Sequence, residues 1–159
     1  MDILLIRVLL NHNRINYDEV PDYACKIIQG GIDNTDIFEL AAMNKPVDRF
    51  ECERLINKII SDDYNEMNVK TEEAKILCLA ILRKEIDAIF GALIIGDISE
   101  SYSRNEDLWK FKVYAESYYD LVSSYESNSL SKSDYSFEER KQIIENKILK
   151  HAKQIISKQ

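Results

Sequence analysis

The chain is poor in residues that turn a backbone: its 159 residues include four glycines and two prolines. A many-stranded sheet needs frequent turn residues, so this scarcity argues against one and favours helices joined by short loops. The glycines, Gly30, Gly31, Gly91 and Gly96, do not form a glycine-rich loop ahead of a helix, which excludes the known phosphate-cradling motifs. Histidine is equally scarce. His12 and His151 have no nucleophile or metal-ligand motif beside them, and the expectation for both is an exposed or capping role.

Cys25, Cys52 and Cys78 are odd in number and widely spaced, with no CxxC or HxxxH pairing. That pattern excludes the usual zinc sites and a disulfide framework. Each falls within an apolar helical pattern, so all three are expected to be reduced, buried thiols of a cytoplasmic protein. Long hydrophobic runs are missing too. The apolar stretch at 3–10 is far short of the roughly 20 residues a membrane helix needs. Asp2 stands where a signal peptide requires positive charge, and Arg7 interrupts the run, so a cleaved leader is not expected.

What is present fits a folded globular protein: 45% apolar and 31% charged residues, in a chain long enough to bury a core without metals or disulfides. One helical domain over 1–159 is expected. The formal charge of −7 is uneven: residues 1–69 carry −6, residues 70–107 carry −3, and residues 108–159 carry +2. The acidic part repels nucleic acid and anionic membranes and attracts basic partners, although solubility alone is a sufficient reason for such charge.

Along the chain, an apolar helix is expected at 2–11, with a buried strand as its competitor. A second helix starts near Pro21, with Asp18, Glu19 and Asp22 at its positive end, and stops at Gly30-Gly31. Asp33 or Asn34 caps a short third helix that Lys45-Pro46 ends, and Asp48 with Glu51 opens a fourth. Thr71 is the next cap candidate. Residues 76–82 and 86–95 are almost wholly apolar, with a break at Arg83-Lys84-Glu85 and a stop at Gly96-Asp97, so 71–96 reads as a central helical hairpin. Ala88, Gly91 and Ala92 permit close helix approach there. Asn105 caps a helix reaching about Tyr125, residues 127–136 read as a flexible Ser-rich loop, and Ser136 with Glu139 forms a capping box for the last helix. The fold class is all-α: seven or eight helices in antiparallel pairs, bundle-like or short-solenoid-like. The cysteines are 27 and then 26 residues apart, but no repeat motif accompanies them.

No catalytic residues, cofactor or metal are expected. The acid pairs Glu72-Glu73 and Glu138-Glu139 fall in first helical turns, where carboxylates have a structural reason to be, and Asp62-Asp63 reads as a solvated loop. The candidate surface for a protein partner is the segment holding Asp97, Glu100, Tyr102, Glu106, Asp107 and Trp109. There an aromatic anchor lies among carboxylates that would receive lysine or arginine. The plain alternative puts Trp109 in the core and the acids in first-turn electrostatics. Tyr118 and Tyr119, with Tyr114 and Tyr125, surround one helix and cannot all point inward, so some hydroxyls reach water or a partner. A third zone comprises Asp62, Asp63, Tyr64 and Glu66.

The stretch Val20-Pro21-Asp22-Tyr23-Ala24, then Gly30, Asp36-Ile37 and Leu40-Ala41, resembles a Y-A, G, L-A arrangement recurring in bacterial helical proteins of similar length. With the acidic, helical character it makes the chain look like the small immunity proteins that bacteria encode beside polymorphic or contact-dependent toxins. The resemblance covers about the first quarter of the chain. It implies a non-catalytic protein that binds one cognate basic toxin, often a nuclease, and blocks it; it assigns no binding residues. Two other expectations stand beside it: an enzyme or small-ligand binder with a pocket near 71–96 containing Glu85, Asp87 or a histidine, and a homodimeric adaptor pairing through the aromatic helix.

Overall fold

The computed structural model describes residues 2–60, 69–100, 105–127 and 135–158. Those residues form eight α-helices and one 3₁₀ turn, with no strand among them. The helices are α1 (Ile3–Asn11), α2 (Val20–Gln29), α3 (Thr35–Ala41), α4 (Arg49–Ile59), α5 (Val69–Leu82), α6 (Ala88–Glu100), α7 (Glu106–Glu126) and α8 (Phe137–Ser157). The chain divides into two compact units, Met1–Ile76 and Leu77–Gln159, with the division inside α5.

In the first unit the caps do what their side chains favour. Asp2 accepts from the Leu4 amide, Asn34 from Asp36 and Ile37, and Asp48 from Glu51, satisfying amides that have no intrahelical partner. Asn16 and Glu19 close a reciprocal capping box around the 3₁₀ turn at Tyr17–Glu19. Gly31, at φ +91°, takes the left-handed conformation that ends the α2 region. The core comprises Ile6, Val20, Ala24, Ile27, Ile37, Leu40, Cys52, Leu55, Ile56 and Ile60. α3 and α4 run antiparallel, tied at the surface by Lys58 Nζ to Asp36 Oδ1 at 2.5 Å.

In the second unit α6, α7 and α8 pack against one another as an up-down bundle. Asn105 caps α7 by accepting from Asp107 and Leu108, and Ser136 with Glu139 forms the capping box of α8. Buried side chains include Ile81, Ile94, Ile95, Leu108, Phe111, Ala115, Leu121, Ile148 and Ala152. Tyr125 and Phe137 meet at one end of the α7–α8 pair with ring centroids 5.0 Å apart. At the other end Lys158 reaches Asp107.

Four local expectations need correction. Gly96 does not stop α6, which continues to Glu100; it lies inside the helix because Lys112 of α7 comes too close for any side chain. Thr71 is not a cap, since α5 is already helical at Val69. Ile86 precedes α6 rather than belonging to it: the amides of Ile89 and Phe90 both bond to Asp87 Oδ1 at 2.9 Å, so Asp87 is the helix's capping side chain. Cys25 is exposed, on the outward side of α2, whereas Cys52 and Cys78 are buried.

Candidate functional site

Polar side chains concentrate in one cavity of the first unit, about 210 Å³, lined by Arg7, Asn11, Tyr17, Glu53 and Asn57 together with Leu10 and Ile56. Helices α1 and α4 each present one polar edge there. Arg7 donates to Asn57, the Tyr17 hydroxyl donates to Glu53 Oε1 at 2.5 Å, and Arg49 Nε donates to the same oxygen at 3.0 Å. The Arg49 guanidinium also lies over the Tyr17 ring, 5.3 Å from its centroid. Burial and the Glu53 carboxylate push the Tyr17 hydroxyl above its ordinary value, while hydrogen bonds from Tyr17 and Arg49 hold Glu53 below the usual carboxylate range.

Next to this cavity is the buried carboxylate of Glu73. Asn11 Nδ2 donates to its Oε1 at 3.1 Å and His12 Nε2 meets its Oε2 at 3.1 Å. Burial raises the Glu73 carboxyl, but the hydrogen bonds from His12 and Asn11, with the charges of His12 and Lys70, outweigh it and leave it below the ordinary range. A carboxyl or a phenol suits proton transfer near neutral pH when its pKa is moved toward 7. Tyr17, Glu53 and Glu73 are all moved away from it. The same holds for the buried thiols: burial pushes Cys52 up to about 11 and Cys78 up to about 12, so both stay protonated and poorly nucleophilic.

In the acidic–aromatic segment named from sequence, Glu100 and Asp107 are engaged within the chain. Glu100 pairs with Lys112, whose ammonium lies 5.5 Å from the Trp109 ring centroid. Asp107 pairs with Lys110 at 3.3 Å and with Lys158, and these lysines hold its carboxyl below the usual range. Trp109 and Asp97 are half-buried; Glu100 and Glu106 are exposed. Tyr118 and Tyr119 meet edge-on with centroids 5.8 Å apart, Tyr118 half-buried and Tyr119 exposed. Tyr102 and the zone of Asp62, Asp63, Tyr64 and Glu66 lie outside the described residues.

Three features have no counterpart in the sequence reading. Phe50, in the first turn of α4, is 83% exposed, and Phe38 of α3 is 45% exposed. His151 is buried rather than exposed: its ring packs 4.9 Å from Phe111 and 6.1 Å from Tyr114, and its Nε2 donates to the Asp107 carbonyl at 2.7 Å. Beside that ring a groove of about 370 Å³ between α7 and α8 is lined by lysines. Their helical spacing is visible in the sequence; the pairing of the two helices that brings them together is not. Among the described residues, no cluster of His, Cys, Asp and Glu has metal-holding geometry, and no helix is long and apolar enough to cross a membrane. No protein-family model, curated protein or solved structure matches the chain.

Proposed function

We propose that the chain is a non-catalytic protein-binding module of the immunity type, which captures and neutralises a basic toxin domain through the acidic surface of its first unit. The carrying observation is Phe50, left 83% exposed at the start of α4. A phenylalanine in solvent forgoes about 1.5–3 kcal/mol of burial, which a partner recovers on docking. It stands in sequence between the exposed acids Asp48 and Glu51, and α3 exposes Phe38 beside Glu39. Glu51 is paired with Arg54 at 2.6 Å within the chain, so a basic partner would share or replace that arginine while the exposed aromatics dock.

Net charge distinguishes the same unit. Residues 1–76 hold 15 acids against 9 bases, a balance of −6, whereas residues 77–159 hold 13 against 12.

The test is co-expression of the full chain with the toxin-like domain encoded by the neighbouring gene, followed by co-purification and assay of that domain. A stoichiometric complex with the toxin silenced is expected. F50A should weaken it at least tenfold, the scale of an interface anchor, while the thermal midpoint of the free chain stays put. Absence of a complex, or a complex indifferent to F50A and to reversal of Glu39 and Glu51, overturns the assignment.

A further inference from the structure

The groove between α7 and α8 has a chemistry opposite to that of the acidic first unit. Lys110 and Tyr114 on α7 face Lys147, Lys150, His151 and Gln154 on α8 around about 370 Å³, within the range of small-ligand sites. Positions 110 and 114 are one turn apart, and 147, 150, 151 and 154 recur over two turns, so each helix points one face into the same space. The surrounding charge is strongly one-sided: residues 140–158 contain six bases and one acid, Glu145. Of the three lysines, Lys110 is partly neutralised by Asp107 at 3.3 Å. Lys147 and Lys150 are exposed and take no carboxylate partner among the described residues. Two ammonium groups at i,i+3 on one helix repel, and an anion placed between them relieves that repulsion.

The rest of the groove is built to hold polar ligand atoms. His151 is 6% exposed and fixed on both sides, by the Asp107 carbonyl at 2.7 Å and by Gln154 at 3.1 Å, so the floor is rigid. The Tyr114 hydroxyl makes no hydrogen bond to another described residue and is free to donate. Ammonium groups, a phenol and a carboxamide are the donor set that recognises phosphoryl oxygens. We infer that this groove binds a small ligand carrying a phosphate or diphosphate group, with Lys147 and Lys150 supplying the charge and Tyr114 a directed hydrogen bond. The site lies wholly within the second unit and is independent of the partner face around Phe50.

The test titrates the full chain with inorganic pyrophosphate, then adenosine diphosphate, and separately a single-stranded 20-mer oligonucleotide, following heat of binding and the His151 ring resonances. Saturable one-to-one binding of pyrophosphate with movement of the His151 signals is expected. K147E/K150E should reduce the affinity at least tenfold. K153E, half that charge change at an exposed position outside the groove, should leave it within twofold of the parent at the same salt concentration. Both variants alter exposed helical positions, and unchanged circular dichroism checks their folding. No saturable response to either phosphate ligand, or equal losses in K147E/K150E and K153E, overturns the inference. So does binding of the oligonucleotide alone, which would mark a diffuse basic face rather than a small-ligand groove.

Discussion

Gly96 of α6 and Lys112 of α7 touch backbone to backbone: a Cβ built on Gly96 would stand 2.6 Å from the Lys112 Cβ and 2.9 Å from its Cα. Neither atom can swing aside, since both are held by the α7 helix. Gly91, one and a half turns earlier, is crowded differently, by the Ile81 and Ile86 side chains at 2.7 and 2.9 Å. The two glycines therefore answer differently to the same substitution. G96A should destabilise the chain by about 1–3 kcal/mol despite alanine's better helix propensity, because α6 and α7 must separate. G91A should cost less, as the Ile81 and Ile86 side chains can change rotamer whereas the Lys112 backbone cannot move aside. Urea unfolding of the two variants checks the order; equal stabilities would mean that the helices give way freely.

The buried Glu73 makes stability depend on acid. Its folded carboxyl lies below its unfolded value, so the unfolded chain takes up the proton first as pH falls. The stabilisation is complete above the unfolded carboxylate value and disappears as pH drops through the folded one. E73Q keeps the shape but loses the charge-assisted bonds to His12 and Asn11, and should cost about 1–2 kcal/mol at pH 7. It should also flatten the decline in unfolding free energy between about pH 5 and pH 3. A variant that loses stability at pH 7 yet keeps the parent's acid slope would place that slope on another carboxylate.

Asp87 holds the start of α6 by accepting the Ile89 and Phe90 amides. D87A should cost about 1 kcal/mol and D87N clearly less, because asparagine caps nearly as well. The comparison also bears on the expectation of a ligand pocket near 71–96. A catalytic Asp87 would lose function equally in both variants, whereas a cap follows the stability ranking measured by thermal melting.

How much of this was readable beforehand follows from the range of each interaction. Capping by Asn34, Asp48, Asn105 and Ser136 is decided within a few residues, and the sequence signals for it match the structure. Gly96 misled because glycine has two helical uses, as a stop and as a contact point, and only the partner helix distinguishes them. Glu73 looked like a first-turn acid, since the donors that bury it come from α1, about sixty residues away. The lysine groove escaped for the same reason: Lys110 belongs to α7 and Lys147 and Lys150 to α8, so their convergence depends on a helix pairing rather than a motif. The acids at the α6–α7 turn were recognisable as a cluster, but the pairing of Glu100 with Lys112 and of Asp107 with Lys110 and Lys158 was not.

The cysteines separate by environment, and a thiol reagent reads that directly. Cys25 sits exposed on α2, while Cys52 and Cys78 are buried with their thiols pushed up to about 11 and about 12. Attack needs a thiolate that the reagent can reach, and the buried pair lacks both conditions in the folded chain. Native protein at pH 8 should therefore release one equivalent of chromophore from an aromatic disulfide reagent within seconds to minutes, and C25S should release none on that scale. The other two equivalents should appear only as the chain opens, at the rate of unfolding measured independently by Trp109 fluorescence. If Cys52 or Cys78 reacts while the Trp109 signal is still native, the packing around α4 or α5 opens locally, and the assignment of these thiols to rigid cores is wrong.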